Sequence, residues 1–231
     1  EYQADGGAFY YGLVSRGYKP GGFNLDGSLS IQEREFDTET MLNYELGIKQ
    51  TYLDGTLRLQ ASLFYQNRDE VQVNQSIVRS LATNRIGGVC PCSFTDFTEN
   101  AASGTNKGLE VEVDWLTSDR VTVFAKVGLL DTAFDQFLSF DHILADRANG
   151  KPFDLNGRDQ AQAPSYTAVI GGRYAVTSAL SLSGSIEAKD DFLFSNSHES
   201  RSNSYRLVNL ELAYQAENWK VALYAKNLSD E

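Results

Sequence analysis

The sequence predicts an all-β chain that forms part of a transmembrane antiparallel β-barrel, with about nine strands present. Three observations predict it. First, the strands are two-faced: Leu57, Leu59, Ala61, Leu63 and Tyr65 take one parity, and Arg58, Gln60, Ser62, Gln66 and Arg68 the other. Successive strand side chains point to opposite faces, so one face is apolar and the other polar. Second, this alternation recurs in hairpin after hairpin, with short turns at one end and long loops at the other, as a bilayer-spanning barrel requires. Third, aromatic residues gather beside the short turns, where a membrane interface selects amphipathic rings.

Composition sets the outer limits. The chain has 231 residues and a formal net charge of −11, which excludes a nucleic-acid partner, because phosphate neutralisation needs a basic face. Mean hydropathy is negative and no apolar run approaches eighteen residues, so no transmembrane helix is expected. A barrel is still allowed, since polar lumenal positions dilute each strand. No signal peptide is visible at Glu1 and the chain stops just after a strand, at Asn227–Glu231; both ends are expected to be cut.

The elements follow in order. An apolar run, Ala8 to Val14, leads into the loop Ser15–Asn24, where Gly21-Gly22 after Pro20 interrupts regular structure. Tyr44, Leu46 and Ile48 then oppose Asn43, Glu45 and Lys49. Leu53-Asp54-Gly55 is a hairpin turn, with glycine suited to positive φ, and the strand from Thr56 to Arg68 follows. A long loop is expected from Asp69 to about Lys107. Leu109, Val111, Val113 and Trp115 alternate with Glu110, Glu112 and Asp114, and a turn at Thr117-Ser118-Asp119 leads to Val121–Leu129. A second long loop is expected over 134–163. Tyr166–Tyr174 and Leu180–Lys189 form the next hairpin, about Thr177-Ser178. A polar loop over 195–203 precedes the last hairpin, Val208–Tyr214 and Val221–Lys226, about Ala216-Glu217-Asn218.

Tyr52, Trp115, Tyr174, Tyr214 and Trp219 sit beside the short turns, the last four with apolar parity. Three carboxylates on one strand face, Glu110, Glu112 and Asp114, cannot face lipid and are too costly for a dry sandwich core. They suit a wet or filled lumen.

Several runs resemble TonB-dependent outer-membrane receptors of Gram-negative bacteria. They are Ser15-Arg16-Gly17-Tyr18-Lys19-Pro20-Gly21-Gly22-Phe23-Asn24, Glu39-Thr40 with Asn43–Lys49, Gly104–Glu112, Ala163-Pro164-Ser165-Tyr166 and Ala225–Glu231. Each is weak alone, and together they keep the family's order along the whole chain. The resemblance implies a 22-stranded barrel around an N-terminal plug, powered by the TonB complex across the periplasm. It places residues 1–231 in the C-terminal part of that barrel, without plug, TonB box or last strand. It also orients the wall, Gly55 toward the periplasm and Arg68 toward the exterior. The motifs are most similar to the iron-complex branch, which takes up ferric siderophores. Expected partners are outer-membrane lipid, the receptor's own plug, TonB and the small ligand. The rival functions are a passive porin-like channel and a barrel membrane hydrolase. A soluble β-sandwich is the rival fold.

No covalent chemistry, cofactor or resident metal is assigned. Ligand-binding candidates are Tyr18, Lys19, Phe23, Arg58, Arg68, Arg79 and Arg85, because aromatic faces and guanidinium groups suit planar, anionic chelates. Arg58 and Arg68 have a second reading, as partners of lumenal or plug carboxylates. Cys90 and Cys92 flank Pro91 in the first long loop. An oxidised loop staple is favoured at a cell surface, although a bond between these two would be strained, and a metal clip would need further ligands. His142 and His198 are read as solvated histidines of surface loops; His142, with Asp141 and Asp146 close in sequence, is the alternative hydrolase candidate, without a nucleophile-elbow pattern. Asp135, Asp141, Asp146, Asp154 and Asp159 make the second long loop acidic without calcium-loop spacing.

Overall fold

The computed structural model describes residues 1–80, 91–139, 153–196 and 198–230. Its strands run as β1 (Tyr2–Gln3), β2 (Phe9–Lys19), β3 (Gly22–Phe23), β4 (Glu35–Phe36), β5 (Glu39–Tyr52), β6 (Leu57–Ser80), β7 (Cys92–Ser118), β8 (Val121–Ser139), β9 (Phe153–Asp154), β10 (Tyr166–Ala175), β11 (Leu180–Lys189), β12 (Tyr205–Gln215) and β13 (Lys220–Ala225). One four-residue helix, α1 (Ile31–Arg34), lies between β3 and β4. The long strands β2, β5 to β8 and β10 to β13 make one antiparallel sheet in chain order, which does not close on itself. Their number matches the sequence expectation.

Register turns the alternation of each strand into continuous rows. Ile48, Ala61, Val111, Val127, Ala168 and Ala188 are successive cross-strand partners. So are Val121, Tyr174, Leu182, Leu212 and Leu223. All stand on one face, which the other described residues leave uncovered: Leu46 is 65% exposed and Leu223 68%. An apolar surface of this extent is far larger than a water-soluble monomer carries, and a bilayer covers it. Tyr52 pairs with Leu57 and Leu57 with Trp115, so Tyr52 joins the same face as the other turn-end aromatics. At the last turn the Tyr214 and Trp219 rings lie 5.4 Å apart.

The short turns lie together at one end. Leu53-Asp54-Gly55 closes β5 to β6, with left-handed backbone at all three residues, Gly55 at φ 95°. In the β10–β11 turn Thr177 Oγ1 accepts hydrogen bonds from the backbone N–H groups of Ala179 and Leu180. Ala216 N–H donates to Trp219 C=O to close β12 to β13.

The far end departs from expectation. The segment read as a loop from Asp69 to Lys107 is largely strand: β6 continues to Ser80 and β7 starts at Cys92. Pairing shifts between Arg68 and Val71 and again between Val71 and Gln72, with Glu70 in the left-handed region at φ 53°. A bulge of this kind breaks the polarity period and turns the strand, so the sequence reads as loop although the ladder resumes. β8 likewise runs on to Ser139, into the segment read as a loop from Phe134. Here Val71, Val73, Ala102, Phe134, Phe137 and Leu155 pack into a buried cluster. The principal core of the described residues thus lies beyond the apolar band, not within it.

Candidate functional site

The polar face has two tiers. Along the band it is a ladder of mixed charge. Glu45, Glu110, Glu112, Asp114, Glu187 and Glu211 share it with Lys49, Arg58, Lys126, Arg173, Lys189 and Lys220, by the register of β5 to β13. Lys126 Nζ reaches Glu112 Oε2 at 3.3 Å, and Lys220 Nζ reaches Glu211 Oε1 at 3.4 Å. Tyr11 donates its hydroxyl to Glu45 at 2.6 Å, and Tyr205 donates to Glu187 at 3.0 Å. Lys189 Nζ stands over the Phe192 and Tyr205 rings, 4.6 and 5.1 Å from their centres. These carboxylates are half-exposed and solvated, as a lumen demands.

Two glycines of the family-like motifs hold this face low. The Tyr11 ring lies on Gly47, where a Cβ would come within 2.2 Å of it, and the Phe64 ring lies on Gly108, where the approach would be 2.4 Å. A larger residue at either place would lift the ring off the wall.

The second tier is a built vestibule at the long-loop end. Arg68 donates Nε and Nη2 to Glu39 Oε1 at 2.9 and 2.5 Å, and Nη1 to Gln160 Oε1 at 2.5 Å. Glu39 Oε2 accepts the Gln72 backbone N–H at 3.0 Å. The Gln72 side-chain amide in turn donates to the carbonyls of Pro20 and Asp37, both at 2.9 Å. Glu39 and Gln160 are buried, so this is an ion pair whose remaining lone pairs are filled by amides, as a buried charge requires. Two asparagines clamp the segment between β2 and β5 onto β7. Asn24 exchanges two 2.8 Å hydrogen bonds with the backbone of Thr98. Asn100 accepts from Asp37 N–H at 2.5 Å and donates to the carbonyls of Asp37 and Glu70. Toward β11, Arg158 donates to Glu199 and to the His198 carbonyl. Arg201 bridges Asp191 and Asp159 at 3.1 and 3.2 Å, and those hydrogen bonds, Asp191 first, hold its guanidinium above the ordinary value.

The candidates from sequence spread over this scaffold and do not converge. Arg58 and Arg68 lie on one strand ten residues apart, about 33 Å, at opposite ends of the lumenal face. Arg58 stands in register with Asp114 near the short turns, whereas Arg68 is committed to Glu39 and Gln160. Tyr18 continues the outward row of Val14 and is largely exposed; Lys19 pairs in register with Glu39. Phe23 is exposed on the small β3–β4 hairpin. Arg79 and Cys92 belong to the outer parts of β6 and β7. Arg85, Cys90, His142, Asp141 and Asp146 lie outside the described residues. Ser195 Oγ lies 3.2 Å from His198 Nδ1 within one loop. Among the described residues no cluster of His, Cys, Asp and Glu is arranged to hold a metal.

Sequence reading missed Glu39, Gln72, Gln160, Asn24 and Asn100 as a network. Glu39 and Asn24 fall inside the motif runs, which marked the positions without giving their task. Gln160, 92 residues from Arg68, carries no local signal.

A two-faced wall with a charged inner face, short turns at one end and a built vestibule at the other defines one class, the wall of an outer-membrane β-barrel. The chain belongs to the TonB-dependent receptor-like β-barrel family, whose model matches residues 1–228. Its place is the outer membrane of a Gram-negative bacterium. The Yersinia pestis pesticin receptor is 24% identical over 221 residues, covering 95% of this chain and 29% of that protein. The crystal structure of the ferric yersiniabactin uptake receptor FyuA of Yersinia pestis superposes with a TM-score of 0.70 at 21% identity, covering 99% of this chain and 30% of that one. The siderophore receptor PiuA of Acinetobacter baumannii gives 0.72 at 19% identity, with 97% and 30% covered. The chain therefore spans under a third of the length of these relatives. All three are named as receptors.

Proposed function

We propose that residues 1–231 form one part of the barrel wall of a receptor that takes up a ferric siderophore complex. Uptake is driven by TonB through a plug held inside the barrel. The observation that carries this reading is the family match along nearly the whole chain, joined to a lumenal face lined with solvated charges. The siderophore class is supported by the similarity to FyuA, a ferric yersiniabactin uptake receptor, and PiuA, a siderophore receptor. In this reading Tyr18, Lys19 and Phe23, with Arg79 and Arg85, supply ligand contacts at the outer end, and Arg68 holds the vestibule floor that positions them. Arg58 acts on lumenal carboxylates near the periplasmic end. Cys90 and Cys92 act as an oxidised staple of the outermost hairpin loop.

The test is growth of an iron-starved strain carrying the full-length receptor, supplied in turn with ferric siderophores, cobalamin and saccharides, with and without TonB. Growth on a ferric siderophore that needs TonB is the expected result. Growth without TonB supports a passive channel instead, and indifference to every iron complex removes the substrate assignment.

A further inference from the structure

We propose that the membrane face carries a seat for one anionic lipid of the outer leaflet, formed across β2, β5, β6 and β7. Register fixes its layout. Gly12, Leu46 and Leu63 are cross-strand partners and make the floor. Val14, Tyr44, Tyr65 and Lys107 make the next row toward the outside, and Arg16 stands one outward position beyond Val14.

Gly12 places no side chain between its neighbours, and Leu46 leans across it; a Cβ there would lie 3.3 Å from Leu46 Cδ2. The result is an apolar groove of about 570 Å³ between Val14, Tyr44, Leu46, Leu63 and Tyr65, with Lys107 at its mouth. Nothing in the described residues covers it: Val14, Leu46 and Leu63 are all more than half exposed. A groove of this size on a lipid-facing wall takes acyl chain.

Charge decides which lipid. Arg16 makes no ion pair among the described residues. Lys107 has only Asp131, on its far side at 3.4 Å, with both side chains more than half exposed, and such a pair holds weakly. Arg16 and Lys107 are about 16 Å apart, three strand spacings across and two residues along, and two long cationic side chains can both snorkel to a headgroup between them. From β8 onward the same level turns acidic. Asp131 and Asp190 stand there, the latter accepting a hydrogen bond from Ser165 Oγ, and close by Asp159 and Asp191 share the single cation Arg201. The β2–β7 side sets two cations against one outward carboxylate, Asp69, one row beyond Arg16, so an anionic headgroup is drawn there rather than to the β8–β11 side. The seat thus joins an apolar notch to a cationic mouth, chemistry that fits a phosphate-bearing lipid.

The experiment is native mass spectrometry of the full-length receptor in mild detergent, titrated with dioleoylphosphatidylglycerol, dioleoylphosphatidylcholine or inorganic phosphate. The anionic lipid should be retained in preference to the zwitterionic one, and phosphate alone should not bind. R16A/K107A should weaken the anionic lipid by about thirtyfold, as two surface cations near a headgroup predict. G12L, which fills the groove, should weaken both lipids. Equal retention of the two lipids, insensitivity to R16A/K107A, or displacement of lipid by phosphate alone would overturn the seat. If G12L does not fold, the surface variant and the lipid comparison still decide.

Discussion

The apolar band and the vestibule above it are built from the same strands by opposite rules. In the band, β5 to β13 turn their apolar residues outward and their charges inward, and no described apolar side chain there needs a partner beyond its row. In the vestibule β6, β7 and β8 continue past a bulge, and their apolar residues turn inward. Phe134 and Phe137 are essentially inaccessible there, against an exposure of 65% for Leu46 in the band. One solvent is hydrocarbon and the other is water, and each region shows its solvent what that solvent tolerates. The paired irregularities at 68–72 of β6 and 100–102 of β7 are the hinge between the two regimes, because one extra residue in each strand exchanges its faces while the pairing beyond returns to its register.

The sharpest way to break that contrast is to remove the vestibule core. Phe137→Ala should cost about 3–5 kcal/mol, the range for an aromatic deleted from a packed site. The loss should be local. Amide exchange should accelerate in the outer halves of β6, β7 and β8, while the heat-resistant migration of the barrel on gels persists. Loss of the whole barrel would show that the two regions fold as one. Glu39→Ala should come next, at about 3 kcal/mol, since it leaves the Arg68 guanidinium partly buried without its counter-charge. Proteolysis of the segment between β2 and β5 reports it, because Glu39 also holds Gln72, which holds Pro20 and Asp37. Unchanged proteolysis would make the network ornamental.

The two regions also differ in what a reader of sequence can recover. The band was legible because its period is local: Leu57 to Tyr65 declares its faces without knowledge of any other strand. Leu109 to Trp115 does the same, and the short turns fix the pairing. The vestibule was not. The alternation in Val71-Gln72-Val73 is real, but the bulge before it cancels its phase, so the strand reads as loop. Arg68 had two readings from sequence, ligand contact or carboxylate partner, and only Glu39 and Gln160, both distant in sequence, distinguish them. Gly47 and Gly108 stood out as motif members, yet their reason is a ring from the neighbouring strand, which no single-strand pattern contains.

Within the band, the contrast between faces should survive a charge placed on one and fail for a charge placed on the other. Ile170 sits mid-row on the outward face, between Ala125 and Ile186. Ile170→Arg should destabilise the refolded full-length barrel by about 2–4 kcal/mol, as arginine near a bilayer midplane does. Val169→Arg, one residue away on the lumenal face beside Lys126 and Glu187, should cost much less. Equal costs in urea titrations in lipid vesicles would mean that the outward face is not the lipid face.

The smallest effect expected is the most informative about the lumen. Lys126 and Glu112 form an ion pair at 3.3 Å, with about half of each side chain exposed. A pair so solvated contributes at most about 1 kcal/mol, screened further by salt. Lys126→Ala should therefore barely change unfolding of the barrel in vesicles, and a double-mutant cycle with Glu112→Ala should give a coupling under about 1 kcal/mol that shrinks as salt is added. If the assembled receptor instead shows a coupling of several kcal/mol that salt does not touch, the lumenal face beside β7 and β8 is dry. A packed body then lies against it, because water and counter-ions screen a wet pair and a closed interface keeps them out.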